Sequence, residues 1–307
     1  MSGGWTSAQI PSQAGRAAVV TGANSGLGLV TARELARHGA SVVLACRDMA
    51  KGERALRQIE AAAPDARLQL SELDLGDLAS VESFAGRVRS DHRESGLDLL
   101  INNAGVMAPP RRETGDGFEL QLGTNHLGHF ALTARLIEEM QGRPDARVVT
   151  LSSNAHKTGR IDFVDLQRER RYTRWGAYGQ SKLANLMFAL GLDRRLRAAG
   201  STVESVASHP GYAATNLQSA AAPAADRLVM KLTNLILAQS AEMGALPTLY
   251  AATFPGLEGG SYIGPDGIGE FRGHPHLVTP NGAARDRQVA ARLWDVSEEL
   301  TGVHFAV

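Results

Sequence analysis

The 307-residue sequence holds one cysteine, Cys46, so no internal disulfide can form. A reducing, intracellular setting fits that usage. There is no excess of either charge sign: Lys+Arg and Asp+Glu are both 32, and the formal net charge is zero. Nothing global would hold such a chain on nucleic acid or on an acidic membrane surface, although a small anionic ligand needs only local positive charge. No stretch approaches the roughly 18 uninterrupted apolar residues of a membrane span. The longest candidate, residues 228–238, is broken by Lys231, Thr233 and Asn234. Residues 1–13 lack a basic segment followed by an apolar run and do not read as a signal peptide. The expectation is a cytoplasmic protein with no integral membrane span and no nucleic-acid partner.

What is present is a chain 43% hydrophobic and 21% charged, with 33 glycines, ample for a sizeable core. Short runs rich in branched residues occur at 17–20, 41–45, 68–70, 97–101, 147–151 and 202–207. They lack period-2 alternation, as expected of strands covered on both faces. Helix-length segments with apolar residues at i, i+3 and i+4 lie between them, including 49–63 and 176–199. This alternation predicts right-handed βαβ units and a parallel sheet. A seventh strand at 260–263 follows a helix at 241–252, and 284–300 reads as a closing helix. The expected fold is one α/β domain over residues 1–307: a doubly wound, seven-stranded, mostly parallel Rossmann sheet with helices on both faces.

The first strand runs into Thr21-Gly22-Ala23-Asn24-Ser25-Gly26-Leu27-Gly28 and then a helix at 29–38. Glycines there permit a tight turn and let main chain approach a pyrophosphate lying on the helix N-terminus. The spacing Gly-x-x-x-Gly-x-Gly is weak alone and gains force from its place in the first strand–helix turn.

A doubly wound fold that binds NAD carries an acidic residue at the end of the second strand for the ribose hydroxyls. Here that strand ends in Cys46 and Arg47, and a guanidinium fork suits a 2′-phosphate. NADP(H) is therefore preferred, while Asp48, which could serve the ribose, keeps NAD(H) open. The bland alternative for Arg47 is a solvated side chain neutralised by Asp48.

Tyr178 and Lys182 are four apart in a helical segment and project from one face. Hydride transfer to or from a carbonyl needs a proton moved at the same oxygen. A tyrosine with a pKa near 10 must be lowered by roughly three units, about 4 kcal/mol, to act near neutrality. A neighbouring ammonium favours the phenolate. Of five tyrosines, Tyr172, Tyr212, Tyr250 and Tyr262 have no lysine four residues on. In Ser152-Ser153, either hydroxyl could stabilise charge on a substrate oxygen. His126 and His129 read as packing or surface residues, with no third partner at zinc-site spacing, and no metal is assigned.

The ordered set of motifs resembles the short-chain dehydrogenase/reductase family from about residue 15 to 264. It comprises the glycine loop, Asp74, Asn102-Asn103-Ala104-Gly105, Ser153, Tyr178-x-x-x-Lys182 and Pro210-Gly211. The spans Ala45-Cys46-Arg47-Asp48-Met49-Ala50-Lys51-Gly52, Asn125-His126-Leu127-Gly128-His129-Phe130 and His209-Pro210-Gly211 look most like its retinol-dehydrogenase-like branch, which includes WW-domain oxidoreductases.

The resemblance implies a catalytic group of Asn125, Ser153, Tyr178 and Lys182, with Ser153 favoured over Ser152 and Asn125 holding a water beside the lysine. Alternatively, Asn125 is a helix kink or a core amide. Cofactor contacts are implied at Gly22, Asn24, Ser25, Gly26, Leu27 and Gly28, and at Arg47. Asp74 and Leu75 would flank the adenine, although Asp74 could equally be a turn residue. Asn103, Ala104 and Gly105 would line the ribose side. Tyr178, Lys182, Pro210, Gly211 and Thr215 would meet the nicotinamide end.

A lid around 212–240, with Met230 and Leu232 as pocket residues, would favour a lipophilic alcohol or carbonyl. Twenty-five positions separate Ser153 from Tyr178, and the stretch containing Arg168-Glu169-Arg170-Arg171 suggests a charged surface excursion. A homo-oligomer fits the resemblance. The competing readings are a non-catalytic dinucleotide sensor or scaffold, and a sugar-nucleotide epimerase or dehydratase. Retention of Ser153, Tyr178, Lys182 and Asn125 argues against the first. The short chain after Thr215 argues against the second.

Overall fold

The strands in the computed structural model alternate their side chains between two apolar layers. Residues 4–93, 95–212 and 239–306 are described. In β1 (Ala17–Thr21), Ala18 and Val20 enter one layer, and Ala17 and Val19 the other. That period of two places the apolar residues of β1 in a core on one side or the other.

One layer is closed by α1 (Gly26–Arg37), α2 (Met49–Ala62) and α6 (Ala241–Thr253). The opposite layer is closed by α3 (Leu78–Asp91), α4 (Gly128–Leu136), α5 (Arg174–Ala198) and α7 (Arg287–Thr301). Phe188 on α5 stacks on Trp294 of α7, with ring centres 5.7 Å apart, and Phe305 joins the same aromatic group. This α5 face is thus covered by the chain's own C-terminal segment.

The remaining strands are β2 (Ser41–Cys46), β3 (Arg67–Glu72), β4 (Leu99–Asn102), β5 (Arg147–Leu151), β6 (Glu204–Ser208), β7 (Tyr262–Pro265) and β8 (Pro275–Leu277). Their order is β3-β2-β1-β4-β5-β6-β7-β8, and every pairing is parallel except β7–β8. The order reverses between β1 and β4, where an open α/β sheet leaves a crevice beyond its carboxyl ends.

Two expectations are corrected here. Among the described residues the sheet has eight strands rather than seven, because β8 turns back against β7 through Ile263–Leu277 and Pro265–Pro275 pairing. Three residues beginning with proline, two of them exposed, carry no strand periodicity. The second concerns β3, which lies at the sheet edge and alternates between exposed and partly buried residues along most of its length. It is not covered on both faces.

Asn125 sits in a π-helical turn, Gly123–Leu127, leading into α4, where the Gly128 N–H reaches back to the Gly123 carbonyl. Such single-turn insertions are rare and gather at functional sites. Among the described residues, no helix is long and apolar enough to cross a membrane.

Candidate active site

The turn after β1 is held open by glycine. Gly22 and Gly26 have φ of 67° and 54°, in the left-handed region. A Cβ on Gly28 would run into the Gly22 carbonyl and the Asn103 side chain. Ser25 occupies the N-cap of α1 without a side-chain cap bond, so the first-turn N–H groups lack that partner. Orphan N–H groups at a helix N-terminus suit a phosphate.

These groups border a cleft of about 540 Å³ at the switch point. Gly22, Asn24, Ser25, Gly26, Leu27 and Gly28 are among its lining residues, as are Arg47, Asp74, Leu75, Asn103, Ala104 and Gly105. The twelve residues expected there converge on one cleft. Its main-chain N–H groups at the helix end fit the phosphates of a dinucleotide, and Arg47, Asp48, Lys51 and Asp74 put both charge signs on its lining.

The alternatives for individual residues separate cleanly. Asp48 caps α2 through the Lys51 N–H at 2.9 Å and pairs with Lys51 Nζ at 2.9 Å. Its carboxylate is committed to the helix start. Arg47 is 64% exposed and 3.9 Å from Asp74, whose other oxygen accepts the Gly76 N–H. Asp74 is therefore a turn residue and a cleft residue together. Asn102 is a buried core amide bonded to Thr133 at 2.9 Å. Asn103 lines the cleft and donates its side chain to the Thr21 carbonyl at 2.7 Å. Lys51 and Thr124 also line the cleft and were not among the expected residues. Lys51 lies one helical turn beyond Asp48, a spacing that could have flagged it.

Tyr178 and Lys182 both lie on α5, one turn apart, and are nearly buried, at 8% and 5% exposure. The Lys182 ammonium is 5.9 Å from the Tyr178 ring centre and donates to the Leu151 carbonyl at 3.1 Å. Burial pushes its pKa down to about 8. Burial also pushes the Tyr178 phenol above its ordinary value, and a hydrogen bond with Ser153 offsets part of that shift. In this arrangement desolvation outweighs the expected help of the ammonium.

The serine pair is resolved by direction. Ser152 is 2% exposed and donates to the Lys182 carbonyl at 2.8 Å, bracing the helix from behind. Ser153 instead meets Tyr178 and accepts the Ala155 N–H at 3.2 Å. Its turn sits tightly on α5, because a Cβ on Gly159 would strike the Gly179 carbonyl.

Asn125 clamps the strand-to-loop segment beside the cleft. Its oxygen accepts the Val106 N–H at 2.8 Å, and its amide donates to the Val106 carbonyl and to Ser181. A Cβ placed on Gly105 would lie 3.0 Å from Asn125 Oδ1 and 3.6 Å from Lys182 Nζ. Both side chains thus stand directly behind Gly105 of the cleft lining.

Pro210 and Gly211 follow β6 and are fastened from outside. Gln239 donates to the Pro210 carbonyl at 2.7 Å, and the Tyr212 N–H donates to the Phe271 carbonyl at 2.7 Å. The 266–273 loop also reaches the serine turn, since Asn154 donates to the Gly269 and Glu270 carbonyls and Lys157 pairs with Glu270 at 3.1 Å. Nothing local in the sequence marked that loop. The segment before α5 is charged as expected, with Arg170 and Arg171 exposed, but Arg168 folds back onto Gln180 at 2.7 Å. Thr215, Met230, Leu232 and residues 213–238 of the expected lid lie outside the described residues. No grouping of three or more metal-ligating side chains occurs among the described residues.

A parallel sheet with a glycine-built helix start at its switch point, and a Ser–Tyr–Lys group whose lysine stands behind Gly105 of the cleft, is the arrangement of a dinucleotide-type oxidoreductase. Residues 16–226 match the short chain dehydrogenase family, and the chain belongs to it. It is an oxidoreductase of the retinol-dehydrogenase-like kind, acting on CH–OH groups.

The chain is 41% identical over 302 residues to retinol dehydrogenase 12 of Mus musculus, covering 98% of this chain and 90% of that protein. It is 40% identical over 307 residues to retinol dehydrogenase 13 of Homo sapiens, covering 97% and 89% respectively. An uncharacterized protein of Mycobacterium paratuberculosis has the same architecture, with a TM-score of 0.83 and 48% identity, covering 99% of this chain and all of the other.

Proposed function

We propose that this protein transfers a hydride between NADP(H) and the alcohol or carbonyl group of a lipophilic substrate, with Tyr178 as the acid/base. The observation that carries this reading is the grouping of Tyr178 with Ser153 and Lys182, with Lys182 and Asn125 standing directly behind Gly105 of the cleft lining. On this reading residues 1–307 form one dinucleotide-binding domain. The relatives named for retinol, at 40–41% identity, support a bulky apolar alcohol or aldehyde as the substrate class. Trp175, 56% exposed and set edge-on to Tyr178 with ring centres 5.9 Å apart, offers an apolar surface beside the reacting oxygen.

The bound nicotinamide would supply or accept the hydride. The N-terminus of α1 and the glycine turn would hold the pyrophosphate, with Asp74 and Leu75 at the adenine. Asn103, Ala104 and Gly105 would face the ribose, and Pro210 and Gly211 the nicotinamide end. The commitment of Asp48 to the start of α2 and to Lys51 favours NADP(H), because it leaves the exposed Arg47 guanidinium as the group at the end of β2 for a 2′-phosphate.

In carbonyl reduction the Tyr178 O–H gives its proton to the substrate oxygen while the Ser153 hydroxyl hydrogen-bonds that oxygen. The Lys182 ammonium favours the phenolate left behind. Asn125 keeps the Val106 segment in place beside the lysine and holds a water through which Tyr178 is reprotonated. Oxidation of an alcohol runs the same proton path in reverse.

Titration with NADPH and NADH, followed by an aldehyde and ketone panel read at the nicotinamide absorbance, tests both parts. Equal or tighter NADH binding would end the Arg47 argument. Unchanged turnover in Tyr178→Phe would end the proton assignment.

A further inference from the structure

His129 was left by its sequence position as a packing residue, yet its ring is buried and both its nitrogens are engaged. Nδ1 lies 2.9 Å from the Asn125 carbonyl, and Nε2 lies 2.9 Å from Thr21 Oγ1. A carbonyl can only accept, so the ring proton belongs on Nδ1. The Thr21 oxygen already accepts the N–H groups of Asn103 and Ala104, each at 2.9 Å. Its acceptor positions are filled, and its single proton has two takers: His129 Nε2 at 2.9 Å and the Ile101 carbonyl at 3.2 Å.

The shorter contact is satisfied only if Nε2 is an unprotonated acceptor, which requires a neutral imidazole. Full burial, helped by the charge on Lys182, holds its pKa near 3, in keeping with that state. The result is one continuous chain of bonds. It runs from the Asn125 main chain, through His129 and the Thr21 hydroxyl, to the two N–H groups that set the loop on the ribose side of the cleft.

We propose that His129 is a positioning residue that couples the Asn125 turn to the Asn103–Ala104 wall of the dinucleotide cleft, through Thr21. The proposal rests on reading that cleft as the dinucleotide site. Packing alone would need only the volume of the ring. Coupling needs a donor and an acceptor on opposite ends of one rigid group, because an unfilled hydrogen bond at either end leaves a buried polar atom unpaired. The π-helical turn that carries Asn125 makes this bracing consequential, since its ladder is already shifted by one residue.

The test uses the full chain and NADPH binding followed by protein fluorescence, so that it does not depend on turnover. His129→Leu keeps an apolar side chain of similar size and is expected to raise the NADPH Kd at least about tenfold, the equivalent of 1.4 kcal/mol. His129→Gln carries donor and acceptor on one amide and is expected to recover affinity to within about threefold. Thr21→Val removes the middle of the chain. Combined with His129→Leu it should weaken binding no further than either alone, the signature of a shared path.

Wild-type affinity in a folded His129→Leu would overturn the proposal, as would glutamine binding no better than leucine, or strict additivity of the double variant. If His129→Leu does not fold, Thr21→Val decides, and wild-type NADPH affinity there overturns it. A wild-type chain that binds neither NADPH nor NADH would overturn both this inference and the reading of the cleft. A Tyr178→Phe variant that keeps its turnover would overturn the proton assignment and leave these affinities as the measure of His129.

Discussion

At the glycine-loop end of the site the protein presents main chain; at the Tyr178 end it presents buried side chains. The first is made of turn geometry, an uncapped helix start and small residues, with its charged groups in solvent. The second removes a lysine and a tyrosine from water and shifts both pKa values. A main-chain site is sensitive to an added Cβ and indifferent to much else. A side-chain site depends on single atoms and on the charge they carry. The two should therefore fail in different ways, and substitution can separate them.

The largest effect is expected at the buried end. Tyr178→Phe removes one hydroxyl and should cut kcat by about 10²–10⁴, the usual range for a lost general acid, while NADPH affinity stays near that of the parent. Parallel losses of affinity and rate, measured by binding and single-turnover kinetics, would erase the distinction between the two ends. Gly28→Val should do the reverse. Its Cβ meets the Gly22 carbonyl and Asn103, so NADPH affinity should fall by about a hundredfold, corresponding to roughly 2.7 kcal/mol, and titration reads it directly.

Arg47→Ser should lower the NADPH-over-NADH preference by about tenfold without changing kcat, as expected for a charge-assisted contact worth about 1.5 kcal/mol. A preserved ratio would move that role to Lys51.

The smallest effect appears only with pH. Lys182 is depressed to about 8, so its ammonium is intact below that value and is lost as pH rises through it. Tyr178 is raised, so its phenol keeps its proton over the same range. Carbonyl reduction, which uses both protons, should be level below pH 8 and decline above it. Lys182→Arg should carry that limb to higher pH. A limb that stays put in the arginine variant would assign it to another group.

The same division governs what could be read before the fold was known. All seven expected strands have boundaries within two residues of those found, because branched runs between helical periods are local signals. The glycine loop was legible because only glycine suits its φ values and its close approach to Asn103. The Tyr178–Lys182 pair was legible because four residues make one helical turn. β8 was not, since its three residues are held by pairing with β7 rather than by their own pattern. The 266–273 loop and His129 were not either, because their partners lie up to 116 positions away.

The sequence by itself determined the alternation of strands and helices, the place of the phosphate turn, and the one tyrosine with a lysine at helical spacing. These are properties of neighbours within a few residues, where backbone preference and side-chain period act directly. Tertiary structure alone decided which of two serines meets Tyr178, and that Asp48 serves its own helix. It also decided that a buried histidine joins the Asn125 turn to the dinucleotide wall. Each of those choices depends on which way a side chain faces once strand register and helix packing are set, and a buried polar group must then bond to whatever the fold has brought beside it.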